Sequence, residues 1–193
     1  PGAERPPLES ITPPSNYKDP EKIRRYQENE MDKVHRKQAL NSLEGRLLCI
    51  GYAIDDGPAD CIMVRPDDPD EYQMLASLEK LVSRGTPAWV GHNCKQFDIL
   101  WLGHRAIKYR LSDLWYALPR SRYDKNVVDT AEVWAMTDFK TYYSLSAIAK
   151  FLGIECKSGM DGSQVYDYWL AGEYDKIREY CIEDVETTRQ IYK

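Results

Sequence analysis

The stretch G-H-N-C-K-Q-F-D at residues 91–98 decides the fold, because a polar turn there separates an apolar strand from a helix. Residues 86–91 (TPAWVG) predict a short strand, and the apolar spacing in residues 97–107 predicts a helix. Asp98 then falls in the first helical turn, at the C-terminal edge of a sheet, where α/β proteins place their sites. A carboxylate at this position can bind a hard cation or can simply cap its helix.

Strands and helices alternate on both sides of this stretch. The predicted strands are residues 46–54, 60–64, 86–91 and 126–129. The predicted helices are residues 20–39, 67–84, 97–107, 144–152, 164–171 and 173–192. This alternation favours an α/β sandwich. Residues 1–18 are rich in proline, which lacks an N–H, so we expect a proline-rich arm there and a single domain over residues 19–193.

Composition bounds the class of protein. In 193 residues, 26 Lys and Arg against 31 Asp and Glu leave a net charge of −5, which argues against a protein that coats duplex DNA through its overall charge. It leaves room for a nuclease, whose carboxylates must hold divalent cations. No apolar run approaches the roughly 18 residues of a membrane span, so no membrane partner is expected. The sequence shows no secretion signal, and we expect a cytoplasmic protein.

The cysteines are scattered along the chain and form no C-x-x-C pair. They are Cys49, Cys61, Cys94, Cys156 and Cys181. An odd, dispersed set of this kind disfavours a disulfide framework and a zinc ribbon, and it fits a reducing compartment. The chain also lacks a G-x-S-x-G elbow, a P-loop and a G-x-G-x-x-G turn, so serine hydrolase, kinase and dinucleotide-binding functions have no sequence support.

A second candidate constellation lies near the C-terminus. Tyr180 and Asp184 are four residues apart in a predicted helix, so both side chains point to the same side. A phenol one turn from a metal-binding carboxylate can orient a water molecule, although the same spacing also describes an ordinary Tyr–Asp pair on a surface helix.

Two further features have a structural and a functional interpretation. Asp129 ends a predicted strand, and we favour a structural role in which its carboxylate accepts loop amides over contact with a metal. Residues 157–165 (KSGMDGSQV) form a polar loop that can hold a phosphate or a sugar, or can be a helix-entry turn with Ser163 near the N-cap.

The order of H-N-x-x-x-F-D (residues 92–98) and Y-x-x-x-D (residues 180–184) resembles the DnaQ-like 3′→5′ exonucleases of the DEDDy subgroup. A related subgroup has histidine in place of this tyrosine, and the histidine would stand at position 179, which is Glu in this chain. The resemblance is greatest to predicted 3′→5′ exonucleases related to the proofreading domain of B-family DNA polymerases. Further stretches that carry it are residues 16–23, 45–47 and 161–165, Gly172 and residues 180–187.

This resemblance implies a ribonuclease-H-like mixed sheet flanked by helices. It also implies two Mg²⁺ or Mn²⁺ ions, about 3.5–4 Å apart, that clamp the attacking water and the leaving 3′ oxygen. Asp98 and Asp184 match acidic positions of the family and would ligate metal, and Tyr180 would position the water. The residues expected to contact nucleic acid are His92, Asn93 and Phe97. The expected partner is the 3′ end of single-stranded DNA or RNA, with a polymerase or repair protein as a further partner.

The chain departs from the family pattern at the first motif, a central strand bearing Asp-x-Glu, which should precede residue 16. Residues 1–15 contain no such strand. Without it, strands 46–54 and 86–91 would each face a gap with unpaired backbone groups, so we expect a natural product with more residues before Pro1. Two alternatives to an exonuclease stay open: a non-catalytic nucleic-acid-binding or scaffold module, and a proofreading subunit that acts with a separate polymerase.

Overall fold

The structure, a computed structural model, describes residues 5, 7–65, 70–83, 85, 87–138, 140–155 and 159–193. Contacts divide the chain into two compact units, Pro1–Arg46 and Leu47–Lys193. The predicted boundary between an arm ending at residue 18 and a domain starting at residue 19 stays a prediction. Parts of the predicted arm, of helix 67–84, of strand 86–91 and of loop 157–165 lie outside the described residues, as does Cys156.

The first unit is built around helix α1 (Pro20–Gln38). Asp19 caps this helix by accepting the backbone N–H of Glu21 at 3.0 Å, and Pro20 occupies the first helical position, as the sequence predicts. A short 3₁₀ turn, Leu8–Ser10, precedes the helix, and the side-chain amide of Gln27 donates to the carbonyl oxygen of Ile11 at 2.9 Å. This bond ties the segment before the helix to the helix itself.

The second unit alternates strands and helices. Its strands are β1 (Cys49–Tyr52), β2 (Asp60–Met63), β3 (Trp89–Gly91) and β4 (Val127–Asp129). Its helices are α2 (Glu71–Val82), α3 (Asp98–Tyr109), α4 (Ser112–Ala117), α5 (Thr130–Ala135), α6 (Leu145–Leu152), α7 (Val165–Leu170) and α8 (Tyr174–Tyr192). The mixed α/β class is therefore confirmed. None of the described helices is both long enough and apolar enough to cross a membrane.

The four strands form two separate sheets. β1 pairs with β2 in an antiparallel hairpin, and β3 pairs with β4 in parallel. The single mixed sheet expected from the resemblance is therefore absent from the described part of the chain. β1 and β3 each keep one edge without a strand partner among the described residues, as the sequence analysis expects. Backbone N–H and C=O groups on such an edge are free to pair with another strand.

Two helices were not predicted, α4 and α5. Each has only six residues, too few for an apolar repeat to become visible. The N-cap position of α4 is Leu111, whose side chain cannot cap the helix, so α4 also lacks a start signal. α5 follows β4 directly, and its cap is Asp129, the last residue of that strand.

The main apolar core lies between α2, α3 and α4. Its buried residues are Leu75, Leu78, Leu102, Ala106, Leu111, Leu114 and Leu118. At its edge the buried carboxylate of Glu71 accepts hydrogen bonds from Arg105 Nε at 2.8 Å, from the Tyr109 hydroxyl at 2.6 Å and from the Leu47 backbone N–H at 2.8 Å. These bonds join α2 to α3 and to the segment that leads into β1.

Helix α8 packs against β1, β2 and β3, and therefore spans both sheets. Its approach to β1 is close because residue 51 is glycine. An added Cβ at Gly51 would lie 2.7 Å from Cys181 Sγ and 2.7 Å from Val185 Cγ2. Such distances are far inside van der Waals contact, so any larger residue at position 51 would push the helix away from the strand.

Candidate active site

Three acidic side chains from distant segments share one neighbourhood. Asp98 begins α3, Asp129 ends β4, and Asp184 lies two turns before the end of α8. The negative charges of Asp129 and Asp184 both act on the Asp98 carboxyl group. The structure thus brings together Asp98 and Asp184, the two residues that the sequence analysis proposes as metal ligands. Their assigned role as ligands stays a prediction.

Asp98 reaches solvent, but protein surrounds it on most sides. Desolvation is the main cause that raises the pKa of Asp98 to about 6, and the charges of Asp129 and Asp184 act in the same direction. Its own backbone N–H opposes the shift. A carboxylate held among like charges is stabilised by a cation, so the site favours binding of a positive ion.

Tyr180 and Asp184 lie on one side of α8, as their spacing predicts, and are joined by a side-chain hydrogen bond. Both side chains are half-buried. Desolvation raises the pKa of Asp184 to about 6, although the hydrogen bond from Tyr180 acts against the shift. Desolvation and the nearby Asp184 charge raise the pKa of Tyr180 well above its usual value. The phenol therefore stays protonated at neutral pH and donates to the carboxylate.

Asp129 organises the turn that precedes Asp98. Its Oδ1 accepts the backbone N–H groups of Asn93 at 2.8 Å and Ala131 at 3.0 Å, and its Oδ2 accepts the N–H of Lys95 at 3.0 Å. Only 2% of Asp129 is exposed. The structural role favoured in the sequence analysis is confirmed, since this buried carboxylate accepts three backbone N–H groups of the turn and of α5.

Asn93 has a left-handed backbone, with φ of 56°. Asparagine tolerates this region better than most residues, so the conformation of the turn after β3 is enough to explain why residue 93 is asparagine. The adjacent Gly91 is required for packing, because an added Cβ there would lie 2.5 Å from Cys94 Cβ. The predicted contact of Asn93 with nucleic acid stays a prediction.

His92 uses both ring nitrogens within the protein. Nδ1 lies 3.0 Å from Thr130 Oγ1, and Nε2 lies 2.9 Å from the carbonyl oxygen of Tyr143. Burial lowers the pKa of His92, so the ring is neutral at neutral pH. With Nε2–H donating to the carbonyl, Nδ1 is left to accept from the Thr130 hydroxyl. His92 therefore connects β3, α5 and the segment before α6. Its contact with a substrate stays a prediction.

Phe97 and Tyr142 are aromatic groups near the acidic residues. The Phe97 ring is 39% exposed and packs at 5.9 Å from the Trp101 ring, so part of its face is available to a ligand. Tyr142 was not singled out from the sequence. Its ring lies 6.1 Å from that of His92, and desolvation together with the charges of Asp129 and Asp184 raises its pKa. The only sequence signal for it is its place in a short polar run, residues 141–144.

The loop before α7 approaches Tyr180. Asp161 Oδ1 accepts the N–H of Ser163 at 2.8 Å, and the Gln164 side chain accepts the N–H of Asp161 at 2.9 Å. This capping box opens a 3₁₀ turn, Gly162–Gln164, that leads directly into α7. The helix-entry interpretation is confirmed, with Asp161 as the N-cap of the turn in place of the predicted Ser163. An added Cβ at Gly162 would lie 3.7 Å from the Tyr180 hydroxyl oxygen. The loop therefore lies beside the Tyr180 hydroxyl group.

The donor set fits a hard divalent cation. Asp98 and Asp184 offer carboxylate oxygens, the atoms that Mg²⁺ and Mn²⁺ prefer. Within the part of the chain that the structure describes, neither carboxylate forms a salt bridge with Lys or Arg. The two Asp-x-Glu triplets of the chain, residues 19–21 and 184–186, lie at the start of α1 and within α8, so neither provides the strand motif of the resemblance.

Comparison with known families gives one finding that bears on this site. A family model described as a predicted 3′-5′ exonuclease related to the exonuclease domain of PolB matches residues 49–193. The matched region starts at the first residue of β1 and contains all the candidate site residues described above. Comparison with curated proteins gives no match.

Proposed function

The chain belongs to the family of predicted 3′-5′ exonucleases related to the exonuclease domain of PolB, and we propose that it removes nucleotides from the 3′ end of single-stranded DNA or RNA with the help of divalent cations. The observation that carries this proposal is the shared neighbourhood of Asp98 and Asp184, with Tyr180 hydrogen-bonded to the second carboxylate.

Asp98 and Asp184 are the residues that would hold Mg²⁺ or Mn²⁺. Their high pKa values reflect carboxylates in an environment that disfavours negative charge, which a divalent cation would relieve. Such ions, when bound, stabilise charge on the scissile phosphate and lower the pKa of water. The family pattern requires two more acidic ligands from an Asp-x-Glu strand, so a strand at the free edge of β1 or β3 would complete the set.

Tyr180 acts as a positioning group in this proposal. Its protonated hydroxyl donates to Asp184 and so orients the carboxylate, while its half-buried ring limits the directions from which water can approach. The loop with Gly162 lies on one side of the Tyr180 hydroxyl group. A water molecule held between these groups would attack the terminal phosphodiester.

The 3′ end of the nucleic acid would bind beside the turn at residues 92–97, which leads into α3. The exposed part of the Phe97 ring offers a stacking surface for a terminal base. His92 and Asn93 would line the same pocket, His92 as a neutral ring held on both nitrogens. A single strand is the expected substrate, because a base pair would have to open before its 3′ end could stack on Phe97 and reach Asp98.

A cleavage assay tests the proposal. Single-stranded DNA and RNA labelled at the 5′ end are incubated with Mn²⁺ or Mg²⁺, with and without chelator, and products are separated on a denaturing gel. A ladder that shortens from the 3′ end, and that disappears with chelator and with Asp184→Asn, supports the proposal. The assay is run with this chain and with a longer polypeptide in which an Asp-x-Glu strand precedes residue 1.

One observation favours a second candidate, a nucleic-acid-binding module without catalysis. Among the described residues, Asp98 and Asp184 are the acidic positions of the resemblance that come together, and neither Asp-x-Glu triplet lies in a strand. If the longer polypeptide binds the labelled strand and never shortens it, the binding module is the better function. Stimulation of a separate polymerase's fidelity by an active protein would instead indicate a proofreading subunit.

A further inference from the structure

Three cysteines that are far apart in sequence meet between the β1–β2 hairpin and α8. Cys61 is the register partner of Gly51, and Cys49 lies two residues before Gly51 on the same strand. Because side chains alternate along a strand, Cys49 and Cys61 lie on one face of the hairpin. This face is the one on which α8 packs.

Cys181 completes the group from the helix. Its Sγ lies 2.7 Å from the position that a Cβ on residue 51 would occupy, so the glycine leaves the space that this sulfur fills. The Sγ atoms of Cys49, Cys61 and Cys181 all lie within 4.8 Å of one another. All three are free thiols. Among the described residues this is the only group of His, Cys, Asp and Glu side chains close enough to hold a metal by this measure.

We propose that Cys49, Cys61 and Cys181 bind one thiophilic cation, Zn²⁺ or Cu⁺, which fastens α8 to the β1–β2 hairpin. Zn–S bonds of about 2.3 Å in a tetrahedron separate neighbouring sulfurs by roughly 3.8 Å, so the three thiols can reach a common ion with small side-chain rotations. Soft sulfur ligands select Zn²⁺ and Cu⁺ and discriminate against Mg²⁺. The site is therefore distinct in chemistry from the carboxylates of Asp98 and Asp184.

The three thiols alter one another's pKa values through hydrogen bonds. Hydrogen bonds from Cys181 and Cys49, with a smaller contribution from the Arg178 guanidinium, lower the pKa of Cys61. The pKa values of Cys49 and Cys181 are raised, so binding of an ion would release thiol protons to solvent. Cys61 is buried, while Cys49 and Cys181 are half-buried, which leaves a route for the ion to enter.

The consequence lies in α8. Cys181 follows Tyr180 directly and precedes Asp184 by one turn, so an ion on its sulfur would restrain the helix that carries both candidate active-site residues. A metal that bridges segments remote in sequence stabilises the folded chain because the unfolded chain cannot present the same ligands together.

A Cd²⁺ titration of the reduced, chelator-treated protein tests the proposal. Cadmium is the probe because its bonds to thiolate produce charge-transfer absorption in the ultraviolet. We expect binding of one ion per chain and a rise in the thermal unfolding midpoint. Cys61→Ser should weaken binding by about tenfold or more, while Cys94→Ser, which alters a buried thiol outside the cluster, should leave it unchanged.

Competition separates the two native ions. Displacement of Cd²⁺ by Zn²⁺ in air, or by Cu⁺ without oxygen, identifies which of the two ions the site binds. Mg²⁺ should not displace Cd²⁺. Absence of the charge-transfer band, or equal binding by Cys61→Ser and the unaltered protein, would overturn the proposal. Circular dichroism checks that Cys61→Ser folds; Cys49→Ser, at a half-buried position, serves as a second variant with the same expected loss.

Discussion

Asp129 Oδ1 accepts the backbone N–H of Asn93 at 2.8 Å, which ties the end of β4 to the turn that leads into α3. The turn carries Asn93 in a left-handed conformation, and its last residue positions Asp98 at the start of the helix. The placement of the candidate ligand Asp98 thus depends on a second carboxylate that does not need to touch metal. This relationship leads to the first prediction.

Asp129→Asn should lower the free energy of unfolding by about 2 kcal/mol, because it replaces charge-assisted bonds to three amides and turns one amide NH₂ group toward an N–H donor. Chemical denaturation measures the change. Asp124→Asn is the matched control, since Asp124 accepts one N–H, from Asn126, in an exposed loop, and should change stability by less than about 0.5 kcal/mol. Equal effects of both substitutions would contradict the role given to Asp129.

Asp184→Asn should abolish cleavage and stabilise the metal-free protein. The pKa of Asp184 is about 6 when folded against an ordinary 3.8, so its ionisation begins to cost folding free energy as the pH rises above 3.8, and the cost is complete above about 6. The variant's thermal midpoint should exceed that of the unaltered protein at about pH 8, and the difference should disappear below about pH 4, where both folded and unfolded Asp184 are protonated. Calorimetry across this range measures it. A variant with normal turnover would remove Asp184 from the mechanism.

Tyr180→Phe should slow cleavage less than Asp184→Asn does, by about a hundredfold at most, because water can still reach the site without the phenol. Since the pKa of Tyr180 is raised, we expect no loss of activity from its ionisation as the pH increases toward 10, the ordinary value. Single-turnover rates measured against pH provide the test. Tyr192→Phe, on the exposed end of the same helix, is the control and should leave the rate unchanged.

Gly51→Ala should destabilise the protein by about 1–3 kcal/mol, because the new methyl group would overlap Cys181 Sγ and Val185 Cγ2. The backbone of Gly51 is accessible to alanine, so the cost arises from packing. Gly85→Ala is the matched control, since no atom lies within 4 Å of an added Cβ there. Thermal unfolding compares the two; similar midpoints would show that α8 can shift away from β1 without cost.

Glu71→Gln should lower the free energy of unfolding by about 3 kcal/mol, because it leaves Arg105 buried beside a neutral group. Burial would raise the pKa of Glu71, but hydrogen bonds from Tyr109, Arg105 and Leu47 outweigh it, and the pKa is lowered from 4.5. The advantage of glutamate is therefore complete above pH 4.5 and is lost as the pH falls further. Denaturation at two pH values tests this, with the exposed Glu179→Gln as the neutral control.

Family membership was predictable because two short motifs, at residues 92–98 and 180–184, appear in a fixed order. Most strands and helices were also predictable, although their ends were not: the predicted strand 46–54 is β1, Cys49–Tyr52. Apolar periodicity identifies an element where it is long, and hydrogen-bond partners decide where it stops. Helices α4 and α5 were missed for the same reason, since six residues contain too little pattern.

Local patterns along the chain were enough for the cap at Asp19, for the shared side of Tyr180 and Asp184, and for the choice of a structural role at Asp129, because these effects act over a few residues. Tertiary packing alone decided that Asp98 lies close enough to Asp184 to feel its charge, and that the strands divide into two sheets. It also brought Cys49, Cys61 and Cys181 together, although these cysteines are far apart in the sequence. Those contacts depend on strand register and on how closely α8 docks, and neither is encoded within any one segment.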